Sequence, residues 1–261
     1  MRQDSNAYII GFATAVCLVC SIVVSTAAVA LRDRQARNKV LDRQTKVLVV
    51  AGVLEEGQSA TVEEIEALFE ENIETRVVDL ATGEYDESFD AATYDQRKAS
   101  KDPAMSSVAP ANNAGITRVP SKALVYRRIE DGQVQSLILP IEGKGLWSTL
   151  YGFIALAPDT TTIRGITFYE HGETPGLGGE VDNPSWKALW IDRKAYDDNW
   201  QPAVEVIKGT AGPAAEDPYR VDGLSGSTLT SRGVTNLVRF WLGENGFDPY
   251  LERLRDEGGA S

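Results

Sequence analysis

Histidine is nearly absent from this 261-residue chain; His171 is the only one. A multi-histidine metal site is therefore excluded, and any Ser-His-Asp chemistry would have to use this one imidazole. Cysteine is almost as scarce. Cys17 and Cys20 both lie in an apolar N-terminal run, so the remainder of the chain has neither disulfides nor a thiolate metal site. Positive charge is in deficit as well. The net charge is −12, and its distribution is lopsided: residues 1–46 carry seven Lys or Arg against three acids, which leaves 19 basic and 35 acidic residues in 47–261. A body of net −16 repels a polyphosphate backbone, which argues against nucleic acid as a partner. Also missing are internal repeats, a Gly-x-Ser-x-Gly nucleophile elbow and a Gly-x-Gly-x-x-Gly dinucleotide fingerprint.

What the chain does have begins with Tyr8–Leu31, 24 residues without a charge. As a helix this run is about 36 Å long, enough for a bilayer core of about 30 Å. A cleaved signal peptide would have a shorter apolar region and more than the lone Arg2 before it. Neither Val16 nor Val19 is the small residue a lipoprotein signal places before its cysteine. An uncleaved anchor over 1–31 is expected. Arg32, Arg34, Arg37 and Lys39 follow the span, and by the positive-inside rule they would hold the body on the cytoplasmic side.

Residues 32–60 read as a linker helix region, with Leu41 and Leu48 a heptad apart. Thr61 and Glu64 form a capping-box pattern ahead of Ile65, Leu68 and Phe69, and Thr75–Leu80 reads as a strand. Residues 83–118 show no sustained periodicity and read as a long surface excursion. Lys122–Glu130 and Gln133–Ile141 flank Asp131-Gly132, a strong hairpin signal; Tyr151–Ala157 and Thr162–Glu170 flank Pro158-Asp159. Short helices are expected over Pro184–Trp190 and Pro249–Arg255, and a strand over Ala203–Lys208. The fold class is α+β: one soluble domain over 61–257, with an antiparallel sheet and packed helices, and a tail at 258–261.

Three glycine-bearing stretches concentrate the chemistry. Gly143-Lys-Gly-Leu-Trp147 lies between the two hairpins, and is either a plain connecting loop or a close backbone approach. Glu170-His-Gly-Glu-Thr-Pro-Gly-Leu-Gly-Gly-Glu180 follows a strand and exposes its backbone, either as a phosphate cradle or as a wall against a flat ring. Asp222-Gly-Leu-Ser-Gly-Ser-Thr-Leu-Thr-Ser231 opens a helix whose apolar residues fall at Val234, Leu237, Val238, Trp241 and Leu242. Small hydroxyl residues there fit an ordinary N-cap, and equally fit a phosphate held at the positive end of a helix.

Taken together with the anchor and in this order, the three motifs resemble the NqrC family, a component of the bacterial sodium-translocating NADH:quinone oxidoreductase, over essentially the whole chain. The resemblance implies an electron-relay protein that bears FMN on a threonine through a phosphoester. The family attachment sequence, Ser/Thr-Gly-Ala-Thr-x-Thr/Ser, matches Ser225 to Thr230 and makes Thr228 the attachment residue; Ser227 stands where alanine is usual. By the same resemblance Ser225, Ser227 and Thr230 donate hydrogen bonds to the phosphate, Gly226 gives the attaching enzyme access to the backbone, and Leu229 belongs to the cofactor-binding set. Glu173, Thr174, Gly176, Leu177 and Gly178 lie against the flavin, with Thr174 a polar contact to the ring and Leu177 apolar packing. Glu173 is alternatively a solvated loop carboxylate, and His171 orients its loop by a hydrogen bond. Implied partners are the other subunits of the complex, a flavin transferase and the bilayer, with the soluble domain on the periplasmic side, against the charge rule. Three alternatives are the paralogous flavin subunit of the ferredoxin-linked (Rnf) electron-transport complex, a membrane-anchored ligand-binding module without redox function, and a serine hydrolase using His171.

Overall fold

The computed structural model describes residues 6–258, so most of the expected tail, together with Arg2 and Asp4, lies outside the described residues. The chain divides into two compact units, 1–43 and 44–261. Helix α1 (Asn6–Val50) runs unbroken through the apolar segment and on to Val50. Its apolar side chains between Ile9 and Val29, such as Phe12, Ile22 and Val29, are exposed. By length and composition this helix is able to cross a membrane.

The second unit is built on a five-stranded sheet. Its strands are β1 (Ile73–Asp79), β4 (Lys122–Glu130), β5 (Gln133–Lys144), β6 (Thr149–Leu156) and β7 (Ile163–Glu170). They pair antiparallel throughout, in the order β1-β4-β5-β6-β7. Asp131 and Gly132 both take positive φ, 51° and 76°, the backbone a two-residue hairpin turn requires. Along β5, Leu137, Leu139 and Ile141 point into the larger core while Ile138 points into a second one. Along β6, Leu150, Ile154 and Leu156 face the first, and Phe153 and Ala155 the second. Both faces of the sheet are thus covered, and the period of two distributes one apolar run between two cores.

The smaller core is closed by the end of α1 and by α2 (Val62–Asn72). Val47, Leu48, Val50, Ala51 and Leu54 are buried there, so the compact unit starts at Gln44, where the sequence pattern drew the domain boundary at 61. The polar character of the linker hid this, because its apolar face is confined to the last turns of α1. Thr61 and Glu64 form the reciprocal capping box expected of them. The polar excursion after β1 contains α3 (Gln96–Ala99) and a small ribbon of β2 (Ser106–Val108) with β3 (Arg118–Pro120). Arg97 of α3 pins it to the sheet, pairing with both oxygens of Glu170 at 2.7 and 3.1 Å and stacking 3.6 Å from the Tyr151 ring centroid.

The larger core holds α4 (Pro184–Ala188), the short parallel pair β8 (Glu205–Val206) and β9 (Arg220–Val221), α5 (Thr228–Trp241) and α6 (Asp248–Asp256). Val234, Leu237, Val238, Trp241 and Leu242 are all buried, as their helical spacing predicts. Helix α5 lies directly on β5. A Cβ on Gly233 would stand 2.5 Å from the Lys144 carbonyl oxygen, so only glycine lets the helix approach this closely. That contact carries the start of α5 to the loop that follows β5.

Candidate functional site

The carboxylate of Glu173 is where the three glycine-bearing stretches meet. It lies in the loop after β7 and accepts hydrogen bonds from the N–H groups of Trp147 (2.9 Å), Leu146 and Ser148 (3.3 Å each). From α5 the Thr230 hydroxyl donates to it at 2.6 Å. Glycine makes room on two sides. A Cβ at Gly145 or Gly178 would stand 2.6 or 2.7 Å from a Glu173 carboxylate oxygen. Burial acts to raise the Glu173 pKa, but the Thr230 hydroxyl and the three N–H groups outweigh it and leave the pKa lowered. The group is an acceptor-only anion, 5% exposed. This corrects the reading of Glu173 as a solvated loop carboxylate.

A carboxylate without a proton fixes the direction of the next hydrogen bonds. Thr230 donates to Glu173, so its oxygen accepts, and the Ser227 hydroxyl donates to it at 2.8 Å. Ser227 occupies the N-cap position of α5, yet its side chain makes no capping hydrogen bond. Ser231 is spent too, donating to the Ser227 carbonyl at 3.1 Å and accepting from the Leu224 N–H at 3.0 Å. The expectation that Ser227 and Thr230 donate to a phosphate is therefore corrected: both are buried, and both hydroxyls point into the protein. The ordinary N-cap reading fails for the same reason.

Thr228 is different. It is the first residue of α5, it is exposed, and among the described residues its hydroxyl has no hydrogen-bond partner. Ser225 is also exposed and, among the described residues, unpartnered, but it precedes the helix on the far side of Gly226, whose φ is 71°. The helix offers its first N–H groups with no acidic residue in the first turn to neutralise them.

Apolar side chains stand exposed on the same loops. Trp147 is 68% and Leu229 54% exposed, with Leu146 and Leu177 nearly as open. Leu177 packs against Gly226, since a Cβ there would stand 2.9 Å from Cδ2, so the Pro-Gly-Leu-Gly loop touches the turn that opens α5. Thr174 and Gly176 are exposed beside Leu177, whereas Gly178 is buried under Thr230. The Thr174 carbonyl accepts from the N–H groups of Leu177 and Gly179, which sets the loop's shape. His171 accepts the Glu173 N–H on Nδ1 at 3.2 Å, and its Nε2 lies 2.8 Å from Asp182. It orients its loop as expected and hydrogen-bonds no serine among the described residues, so the hydrolase alternative gains no triad there. The sequence left Gly143–Trp147 open between a connecting loop and a close backbone approach; the fold shows the close approach, with the N–H groups of Leu146, Trp147 and Ser148 on the Glu173 carboxylate, a role for these three that no local pattern marked.

Comparison with known proteins agrees with this geometry. Residues 145–243, which span all three stretches from Gly145 onward, match the FMN-binding domain family. The chain is 50% identical to the NqrC component of the Na(+)-translocating NADH-quinone reductase of Pseudomonas aeruginosa, over 97% of this chain and 98% of that one. It is 48% identical to its Vibrio vulnificus counterpart, over 98% of both. It belongs to the NqrC family of the Na+-translocating NADH-quinone reductase. The crystal structure of Shewanella oneidensis NqrC superposes with a TM-score of 0.77 at 34% identity, covering 85% of this chain and 99% of that one. The NqrC structure from Parabacteroides distasonis gives 0.64 at 29% identity, over 85% and 96%. The α+β class with its five-stranded antiparallel sheet is thus the NqrC fold, and this member of the family has an FMN-binding domain.

Proposed function

We propose that this chain relays electrons within its complex through FMN joined to Thr228 by a phosphoester. The observation that carries the reading is the state of the hydroxyls at the start of α5: Ser227, Thr230 and Ser231 are committed to protein partners, while Thr228 is exposed and unpartnered on the helix. Its oxygen would become the bridging oxygen of the ester: the transferase would break the phosphoanhydride of a flavin dinucleotide donor, the nucleoside monophosphate would leave, and the hydroxyl proton would be released to solvent. The first N–H groups of α5 would face the remaining phosphate charge.

The residues present fit the group. Leu146, Trp147, Leu177 and Leu229 offer apolar surface of the kind a planar ring system covers, and Thr174 stands among them as a polar contact. A Cβ built on Gly176 would meet nothing within 4 Å, so the loop leaves open space there. FMN, when bound, supplies reversible uptake and release of electrons; the chain's own share is to hold it in place and set its surroundings. Glu173 acts at one remove, fastening the three stretches to one another. A covalent tether prevents loss of the cofactor over many turnovers.

Within the assembly the reading calls for the other reductase subunits as partners, for a flavin transferase to load Thr228, and for residues 8–31 to span the inner membrane with the domain in the periplasm. Loading is tested by producing the chain with a flavin transferase, denaturing it and inspecting the gel band for flavin fluorescence. The wild-type band should fluoresce, the added mass should map to the peptide containing Thr228, and Thr228→Ala should be dark. A dark wild-type band, or a fluorescent Thr228→Ala band, would rule the attachment out.

A further inference from the structure

Thr228 also borders a cleft of about 730 Å³, within the range of small-molecule sites, and none of the exposed apolar residues of the flavin face lines it. Its walls include Lys208, Gly209, Thr210, Ser225 and Arg232. The cations nearby are otherwise all engaged. Between Lys187 and Arg239 the chain has seven. Lys187 pairs with Glu56, Lys194 with Asp159, Arg220 with Asp217 and Arg239 with Glu205, and Arg193 donates to the carbonyls of Leu189, Gly212 and Asp217. Lys208 and Arg232 alone have no hydrogen bond or ion pair among the described residues, and both line this cleft. In a body of net −16, two unpaired cations beside one exposed threonine are a local reversal of charge.

Two carboxylates also reach the cleft, and both are occupied. Glu205 is held by Arg239 at 3.0 Å, and Asp222 accepts the Ala211 N–H at 2.8 Å. Three cations against two carboxylates leave one positive charge, the complement of a singly charged phosphodiester. Position reinforces the count. Arg232 lies four residues after Thr228, on the same face of α5. A cation so near a helix N-terminus is opposed by the dipole unless an anion lies between them.

We infer that Lys208 and Arg232 hold the phosphate of the group esterified to Thr228, so that the phosphate is turned into the cleft and the ring onto the face formed by Leu146, Trp147, Leu177 and Leu229. The inference rests on the attachment proposed above. Lys208 and Arg232 are positioning residues: they fix the tether and touch no part of the ring.

The test uses full-length chain in detergent, loaded by the transferase, and reads two signals. The phosphorus resonance of the attached group reports the tether, and the visible flavin band reports the ring. Lys208→Gln and Arg232→Gln should each move the phosphorus resonance toward that of a free flavin phosphodiester, and the double variant should move it further. The visible band should stay where it is in the wild type. Lys208→Arg and Arg232→Lys should preserve the wild-type resonance. An unmoved resonance in the double variant, or a shifted visible band with the phosphorus signal unchanged, overturns the inference. If the Gln variants load tenfold less while the charge-conserving ones load normally, that supports it; equal loss in both sets overturns it. An unlabelled wild-type chain, or a label elsewhere, is a failure of the attachment proposal, and the loading step alone reveals it.

Discussion

Glu173 receives four hydrogen bonds from two other segments, and its neutral amide counterpart could not take all of them. Both carboxylate oxygens accept backbone N–H groups, so the amide nitrogen of Glu173→Gln would face a donor. The expected loss is on the order of 2 kcal/mol near neutral pH, the worth of a hydrogen bond to a buried charge. The pH dependence has a definite sign. The folded pKa lies below its ordinary value of 4.5, with burial opposing the shift and the Thr230 hydroxyl and three N–H groups prevailing. The carboxylate therefore contributes stability that is complete above the unfolded pKa and lost as pH falls through the folded one. Urea unfolding at stepped pH should show the wild-type advantage over Glu173→Gln shrinking below about pH 4.5. Parallel profiles for the two proteins would show that the carboxylate is not the fastening group.

At the scale of elements, the site exists because α5 sits on β5 without a spacer. Alanine is the better helix former by about 1 kcal/mol, so Gly233→Ala would stabilise an isolated helix. In the folded chain the added methyl meets the Lys144 carbonyl and the Gly145 backbone. Overpacking of that kind costs about 1–3 kcal/mol. Gly233→Ala should therefore lower the melting temperature and weaken flavin loading together, since the start of α5 shifts away from the loop at 145–148. A variant that melts higher than wild type would show that this contact is slack. The elements themselves were largely legible beforehand. The stripe from Val234 to Leu242 announced α5, Asp131-Gly132 announced its hairpin, and Thr61 with Glu64 announced α2. The ribbon of β2 and β3 was not legible, because three-residue strands are too short to show a period.

For the whole molecule, two influences compete over which side of the membrane the domain faces. The cluster from Arg32 to Lys39 follows the apolar segment of α1 and would by itself retain the domain inside. The periplasmic placement proposed above runs against this rule, which is statistical, and neighbouring subunits are able to fix the orientation of one helix against it. Protease added to intact spheroplasts should degrade the domain, and the same treatment should spare a cytoplasmic control. Protection of the domain until the membrane is lysed would place it inside.

Periodicity, caps and one uncharged run determined the long apolar helix, the hairpins and α5, because each is a local pattern whose physics acts within a few residues. The likeness of Ser225 to Thr230 to a family motif also singled out Thr228 among its neighbours. Only the tertiary structure decided what those neighbours do. Ser227 and Thr230 read as lining a phosphate, and the fold turned both inward because a buried carboxylate 57 positions before Thr230 takes the Thr230 hydrogen bond. Glu173 read as a contact to flavin or water and became the joint between loops distant in sequence. Lys208 and Arg232 had no distinguishing pattern at all. They stand out only once every other cation nearby has found its partner, and pairing across such distances is a property of the folded chain.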